Sequence, residues 1–574
     1  MNAAGTVNVA MHLAALAKAE PTRRAVVHPS LHRQLTFRQL HEQSDALAHG
    51  LQSVGIDRGV RTALMVPPSL DFFTLSFALF KIGAVPVLID PGMGIRNLGR
   101  CLEDAEPTAF IGIPKAHLAR KLLGWARKTV MIKVTTGRFL SGFSLRGLQA
   151  NGQTKGPFAQ SPTAAAETAA ILFTSGSTGI AKGVVYTHGI FAAQVEMLRS
   201  MYAIEPNEVD LSTFPLFALF GPALGMTAII PDMNPTRPAK VDPRKIINAV
   251  KQFGVTNLFG SPALINRVGS YGQENGIKLP TLKRVISAGA PVPAKVIDHF
   301  ATMLSDGSQV HTPYGATESL PVSSIGSDVL LKETRFATER GCGICVGHPV
   351  APQPVEPMRV RIIPISDEPI PTWDESRCLA SGQIGEIAVA GPVVTTTYFN
   401  RPQATELAKM RDLQTGTIWH RMGDVGYIDA SGRLWFCGRK SQRVVTKRGT
   451  LFTIPCEGMF NAHPFIYRSA LVGVPADGDI HPVICVEMVH DRNLRWPDPR
   501  GSLLAIANSH AHTRAITQVL FHPGFPVDIR HNAKIFREKL AIWAARKLKR
   551  CRWPEASEAV PAPPTFDTAG GEKS

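Results

Sequence analysis

Five consecutive apolar residues, Ala169-Ala-Ile-Leu-Phe173, run straight into Thr174-Ser-Gly-Ser-Thr-Gly-Ile-Ala-Lys-Gly183, and no other junction in the chain restricts its fold as tightly. A short apolar run that ends in a glycine-rich turn reads as a buried strand. Behind it, Gly176 and Gly179 let the backbone turn so that successive N–H groups converge on an anion. Ser175, Ser177 and Thr178 add hydroxyl donors and Lys182 adds a positive charge, which is what phosphate oxygens require. The pattern is not a Walker A loop, in which Ser or Thr follows the lysine; here Gly183 does. A Ser/Gly linker has a similar composition, but linkers do not ordinarily sit behind five apolar residues or lead into Val184 and Val185.

At 574 residues the chain exceeds one ordinary core, so about two to four structural units are expected. Hydrophobic residues make up 44% and charged residues 19%, which suits packed cores and fits a loop-rich α/β enzyme better than a disordered chain. No apolar stretch reaches the roughly 18 residues of a bilayer-spanning helix. Residues 1–19 lack a basic segment followed by a continuous apolar one, so no secretory signal is read and a cytoplasmic location is expected. Eight cysteines, mostly at wide spacings, suit reduced thiols, and the lone CxxC pair, Cys342 and Cys345, reads as a structural loop rather than a zinc or redox site. The net charge of +17 raises a nucleic-acid reading. Its densest stretches, six Lys/Arg with no acid in 115–133 and nine with one acid in 530–552, carry no nucleic-acid-reading motif. No nucleic-acid partner is expected. An anionic substrate, an acidic protein or a membrane surface would feel the same field, which leaves peripheral membrane contact open. Residues 540–548 read as a terminal helix with one apolar face and a solvated basic side.

From about residue 25 to 360, apolar strands alternate with helical segments, the pattern of stacked βα units. Thr62-Ala-Leu-Met-Val66, a helix over 72–82 and Val85-Pro-Val-Leu-Ile89 form one unit, and further strands are read at 255–260 and 284–287. From about Gly382 the pattern shifts to short strands and tight turns, with Asp429-Ala-Ser-Gly432 as a hairpin turn. The expected fold class is α/β: a large N-terminal domain of stacked βα units with a small β-rich subdomain, over 1–439, and a small mobile α+β C-terminal domain over 440–553. The Pro-, Ala-, Glu- and Gly-rich segment 554–574 reads as a disordered tail.

Further motifs follow in order: Ser287-Ala-Gly-Ala-Pro-Val292, Thr312-Pro-Tyr-Gly-Ala-Thr-Glu318, Trp419-His-Arg-Met-Gly-Asp424, Gly438-Arg439-Lys440 and Arg530-His-Asn-Ala-Lys-Ile535. With the loop at 174–183 they resemble, over nearly the full length, the adenylate-forming superfamily of acyl-CoA synthetases, luciferases and peptide-synthetase adenylation domains. The resemblance implies ATP and Mg²⁺ as cofactors. It places Thr174, Ser175, Gly176, Ser177, Thr178, Gly179 and Lys182 around the phosphates, and Gly289, Ala290 and Pro291 on the adenine side. Tyr314 and Gly315 would lie against the base, Thr317 at the α-phosphate, Glu318 on Mg²⁺, and Asp424 and Arg439 at the ribose. Lys534 would be the catalytic lysine, acting with Thr317 and Glu318. Each residue type suits its task. A carboxylate accepts two ribose hydroxyls, an aromatic ring offers a π-face to a base, and a glutamate is a hard ligand for a hydrated Mg²⁺.

The implied first half-reaction is attack of a carboxylate on the α-phosphorus of ATP with release of pyrophosphate. In Phe214-Pro-Leu-Phe-Ala-Leu-Phe-Gly221 the superfamily usually has a histidine where this chain has Ala218, so Phe217 and Ala218 are candidate acyl-pocket residues with room for a branched carbon. Ser441 stands at a hinge position usually held by Asp or Lys, which puts the usual domain rotation in question. The stretches 231–239, 361–370 and 391–400 resemble the olefin-pathway branch, the β-lactone synthetases. That resemblance implies a 2-alkyl-3-hydroxyalkanoic acid whose own 3-hydroxyl expels AMP and closes a lactone, and an assembly with other olefin-pathway enzymes. A long-chain acyl-CoA or acyl-AMP ligase would share every adenylation motif; a non-catalytic basic protein is favoured by charge alone. His188, in Tyr186-Thr-His-Gly189, is weighed as a base for the 3-hydroxyl, but the structural role is preferred.

Overall fold

In the computed structural model, residues 5–137, 142–174, 181–214, 219–351, 353–489, 496–527, 534–551, 553 and 559–566 are described. Ser175, Gly176, Ser177, Thr178, Gly179, Phe217, Ala218 and the side chain of Thr174 lie outside them.

Helix Leu70–Ile82 explains the layering. The Ser69 hydroxyl accepts the Phe72 N–H at 3.2 Å to start it, and Gly83, with φ of 76°, ends it in the left-handed conformation that glycine adopts without strain. Between these caps every residue except Asp71 is buried. A helix that is apolar all round needs cover on both sides. It has that cover: it packs against Arg24–His28 and Val85–Ile89, strands of two different sheets. Its polar groups are answered locally, Thr74 and Ser76 donating to carbonyls one turn back and Lys81 pairing with Asp45 at 2.6 Å.

The seven-stranded sheet runs from Phe143–Ser144 through Ile132–Thr135, Ala109–Gly112, Arg61–Met65 and Val85–Ile89 to Thr168–Thr174, all parallel, and closes with Lys182–Thr187 antiparallel. The second sheet has fourteen strands. Its parallel part carries Val209–Ser212, Asn257–Gly260, Arg284–Ser287 and Gln309–Ala316. At Ser319–Gly326 the pairing turns antiparallel and continues through Ile344–Pro349, Leu434–Arg439, Ile418–Ile428 and Gly385–Ala390. The β-rich stretch expected after Gly382 is thus an extension of the same sheet, anchored by Trp419, Tyr427 and Trp435, among the largest fully buried side chains.

Beyond Lys440 the chain forms its own layers: the hairpin Val444–Thr446 with Gly449–Leu451, and the sheet Ile466–Ala476, Asp479–Met488 and Gln518–Phe521. Helix Arg537–Lys547 buries Leu540 and Ala544 against Val472, Val483 and Leu520, so the apolar face read at 540–548 is taken up inside the fold. Within the segment read as a disordered tail, 559–566 is held. The Val560 N–H donates to the Arg448 carbonyl at 3.1 Å, the Phe566 N–H donates to the Tyr427 hydroxyl at 2.8 Å, and the Phe566 ring stacks on Trp435 with centroids 5.1 Å apart. The aromatic residue supplies an anchor that the surrounding composition conceals.

Candidate functional site

The phosphate-loop strand is built as its sequence suggests. Ala169, Ala170, Ile171, Leu172 and Phe173 are all buried, and Thr174 stands opposite Lys182 where the strand meets its antiparallel neighbour. Gly183 is required there, because a Cβ would come within 2.7 Å of the Phe173 ring. The Lys182 ammonium lies 4.9 Å from the centre of the Tyr398 ring, a cation–π distance.

Thr317 and Glu318 form the two-residue turn between Gln309–Ala316 and Ser319–Gly326, where the large sheet changes from parallel to antiparallel. The turn follows the carboxyl end of the parallel strand Gln309–Ala316, the end at which α/β sheets place their ligand crevices. The turn is held from outside. The Tyr186 hydroxyl donates to the Thr317 carbonyl at 2.6 Å, and the Thr395 N–H and hydroxyl donate to the Glu318 carbonyl at 2.9 and 3.1 Å. The Glu318 carboxylate accepts the Tyr398 hydroxyl at 2.6 Å through Oε1. Behind Thr395 sits Lys409, fully enclosed, its ammonium donating to the Thr395 carbonyl and hydroxyl; burial lowers it to about 7 against the pull of Glu318.

On the opposite wall, Asp424 and Arg439 are cross-strand partners joined by an ion pair of 2.9 Å. The Tyr314 hydroxyl donates to Asp424 Oδ2 at 2.7 Å. Burial pushes the Asp424 carboxyl up against the opposing effects of Arg439 and Tyr314; burial and the adjacent carboxylate push the Tyr314 hydroxyl well above its ordinary value. Gly289 has a φ of 99°, a backbone conformation that lets the chain turn sharply after Arg284–Ser287.

The third wall comes from beyond the 440–443 segment. Lys440 pairs with Glu386 at 3.0 Å and Arg443 with Asp367 at 2.5 Å. Arg537 makes two bonds to Glu457, of 2.5 and 2.8 Å, and a third to Gln442 at 3.2 Å, tying the neighbourhood of Lys534 to that segment.

Lys182, Gly289, Ala290, Pro291, Tyr314, Gly315, Thr317, Glu318, Asp424, Arg439 and Lys534 all line one cavity of about 940 Å³. An apolar arm of it is walled by Val9, Phe77, Phe80, Phe191 and Phe220. His188 is enclosed away from this lining, and burial lowers it to about 4, which fits the structural role. Cys342 and Cys345 are free thiols pushed up by burial to about 11 and about 12, and among the described residues no cluster of His, Cys, Asp and Glu could hold a metal by itself. Sequence reading gave no role to Tyr398, Thr395, Lys409 and His420, although His420 stands within the motif 419–424 and Thr395 and Tyr398 within 391–400; their partners lie elsewhere in the chain.

A profile described as AMP-binding enzyme matches residues 13–399. Over 554 residues the chain is 50% identical to the olefin beta-lactone synthetase of Xanthomonas campestris pv. campestris, covering 94% of this chain and 98% of that protein. Over 558 residues it is 50% identical to the olefin beta-lactone synthetase of Stenotrophomonas maltophilia, covering 95% and 99%. Among solved structures it superposes with a TM-score of 0.75 on an amide bond synthetase from Marinactinospora thermotolerans, at 21% identity over 93% of this chain and 99% of that one. On the o-succinylbenzoate CoA synthetase of Bacillus subtilis in complex with its acyl-adenylate intermediate the TM-score is 0.71, at 18% identity over 96% and 100%. At these identities the structural likeness is one of fold.

Proposed function

The chain belongs to the AMP-binding enzyme family, and from that premise we propose that it is an ATP-dependent β-lactone synthetase of long-chain olefin biosynthesis, acting on a 2-alkyl-3-hydroxyalkanoic acid. The observation that carries this reading is 50% identity, over 94% of the chain, to a relative named for that activity. The cavity supports it, since polar groups suited to a nucleotide share one space with an aromatic, aliphatic arm suited to an alkyl chain.

In this reading Asp424 and Arg439 orient the ribose, and Tyr314, held by its hydroxyl, presents its ring to the base. Lys182 and the 174–179 loop receive the phosphates, and Thr317 receives the α-phosphate at the turn. Lys534 neutralises the charge that gathers as the carboxylate attacks the α-phosphorus; pyrophosphate leaves and an acyl adenylate remains. Glu318 keeps Oε2 clear of the Tyr398 bond, a hard oxygen that would hold Mg²⁺. Mg²⁺ would supply charge neutralisation across the phosphates. The 3-hydroxyl then attacks the activated carbonyl, its proton passes to solvent, and the bond from the acyl carbon to the phosphate oxygen breaks to release AMP. Because the nucleophile belongs to the same molecule, its effective molarity can reach about 10⁵ M or more when correctly held.

The same reading divides the chain into an adenylation domain, 1–439, and a lid domain, 440–553. It places the protein in the cytoplasm, which suits its free cysteines, and allows assembly with the enzymes that make the hydroxy acid and consume the lactone. Purified protein incubated with Mg-ATP and a synthetic 2-alkyl-3-hydroxy acid, with the products followed by proton NMR, tests it. A β-lactone forms without coenzyme A; a thioester formed only with coenzyme A would return the protein to the acyl-CoA ligases.

A further inference from the structure

His420 lies on Ile418–Ile428 and faces Lys409 across the ladder that strand makes with Lys409–Arg411. Its Nδ1 is 3.1 Å from the Ala408 carbonyl oxygen; a carbonyl can only accept, so Nδ1 carries the hydrogen. The residue is 2% exposed and lines the cavity, and among the described residues Nε2 has no hydrogen-bond partner. The ring therefore offers a lone pair toward the cavity. The charged groups around it are Lys182 on the phosphate-loop strand, Lys409 on the paired strand, and Arg421 beside it, itself bound to Glu386 on the other flanking strand. Tyr398 and Glu318 continue the wall beyond Lys182. Burial first, and then these cations, hold the imidazole well below its ordinary range. Unliganded, this nitrogen can only accept, and the surrounding cations disfavour its protonation. A polyphosphate entering between them reverses the local field and turns the same nitrogen into a charge-assisted donor.

We propose that Nε2 of His420 is a docking point for the terminal phosphates of ATP, taking a proton from solvent as the triphosphate enters and returning it when pyrophosphate leaves. This rests on the ATP-dependent reading above and adds a phosphate contact remote in sequence from the glycine-rich loop. The residue forms no covalent bond; it selects triphosphate over monophosphate and steadies the leaving group.

The test is calorimetric titration of the full-length protein with AMP and with the non-hydrolysable α,β-methylene analogue of ATP, in two buffers of different ionisation enthalpy, across the range in which histidines titrate. The analogue is expected to take up about one proton more than AMP, and its affinity to fall by up to about tenfold per pH unit on the alkaline side while that of AMP stays level. His420→Asn keeps a donor for the Ala408 carbonyl but cannot reach the position of Nε2. It should weaken the analogue about tenfold to a hundredfold and leave AMP within about twofold. His420→Gln, whose amide reaches that position without titrating, should recover part of the affinity and none of the pH dependence. Equal proton uptake with both nucleotides, or an analogue affinity indifferent to His420→Asn, overturns the proposal. Failure of the wild-type protein to bind either nucleotide would overturn the ATP reading itself, an outcome distinct from normal AMP binding without the proton signature.

Discussion

A single side chain joins Glu318 and Lys182 in the cavity lining. Tyr398 donates to Glu318 while its ring lies under Lys182, so one side chain fixes the direction of the carboxylate and the position of the ammonium. Tyr398→Phe removes the hydrogen bond and leaves the ring. A hydrogen bond to a charged group contributes about 1.5–3 kcal/mol, so pyrophosphate release should slow by roughly tenfold to a hundredfold and need more Mg²⁺ for half-maximal rate, with the melting temperature little changed. A fall in melting temperature without a change in Mg²⁺ requirement would make the bond merely structural. The sequence made Glu318 visible because it stands in a compact motif, but its partner is eighty positions away in the chain. Lys409 was more hidden still: in a linear reading it is one more cation of a basic chain, and only its enclosure behind Thr395 separates it from the solvated lysines.

At the scale of elements, the alternation of strands and helices was legible because burial on both faces leaves continuous apolar runs, as in Val85–Ile89 and residues 169–173. The attachment of the strands after Gly382 to the large sheet was not. It depends on Ile344–Pro349 pairing with Leu434–Arg439 and with Ser319–Gly326, a register set by the assembled sheet rather than by local pattern. Two strands beyond Leu434–Arg439, toward the edge of the sheet, Gly385–Ala390 carries Glu386, enclosed between Arg421 at 2.7 Å and Lys440 at 3.0 Å. Breaking a buried ion pair strands its partner's charge, and such changes remove about 3–5 kcal/mol of stability. Glu386→Gln should therefore lower the unfolding midpoint markedly in calorimetry and expose the 440–443 segment to proteases. A midpoint within error of the wild type would mean that Ser366 and other carbonyls already satisfy both cations.

For the molecule as a whole, the segment after the last helix matters more than its composition suggests. Trp553 stacks on His481, Val560 bonds to Arg448, and Phe566 rests on Trp435 beneath Arg433. These contacts begin on the C-terminal layers and finish on the large sheet, on opposite sides of the 440–443 segment. Phe566→Ala removes the terminal anchor and should lose about 1–3 kcal/mol, since the ring is only partly covered; acrylamide should then quench Trp435 more strongly. Unaltered quenching would show that the ring leaves its seat in solution. From Val560 to Phe566 the backbone can extend only about 20 Å. The C-terminal layers are therefore leashed to the large sheet, and any displacement that carries Arg448 farther than that from Trp435 must break the Val560–Arg448 bond or unseat Phe566. An enzyme whose second nucleophile arrives inside its own substrate has no outside acceptor to turn toward, and a short leash is a restraint it can keep through the whole turnover.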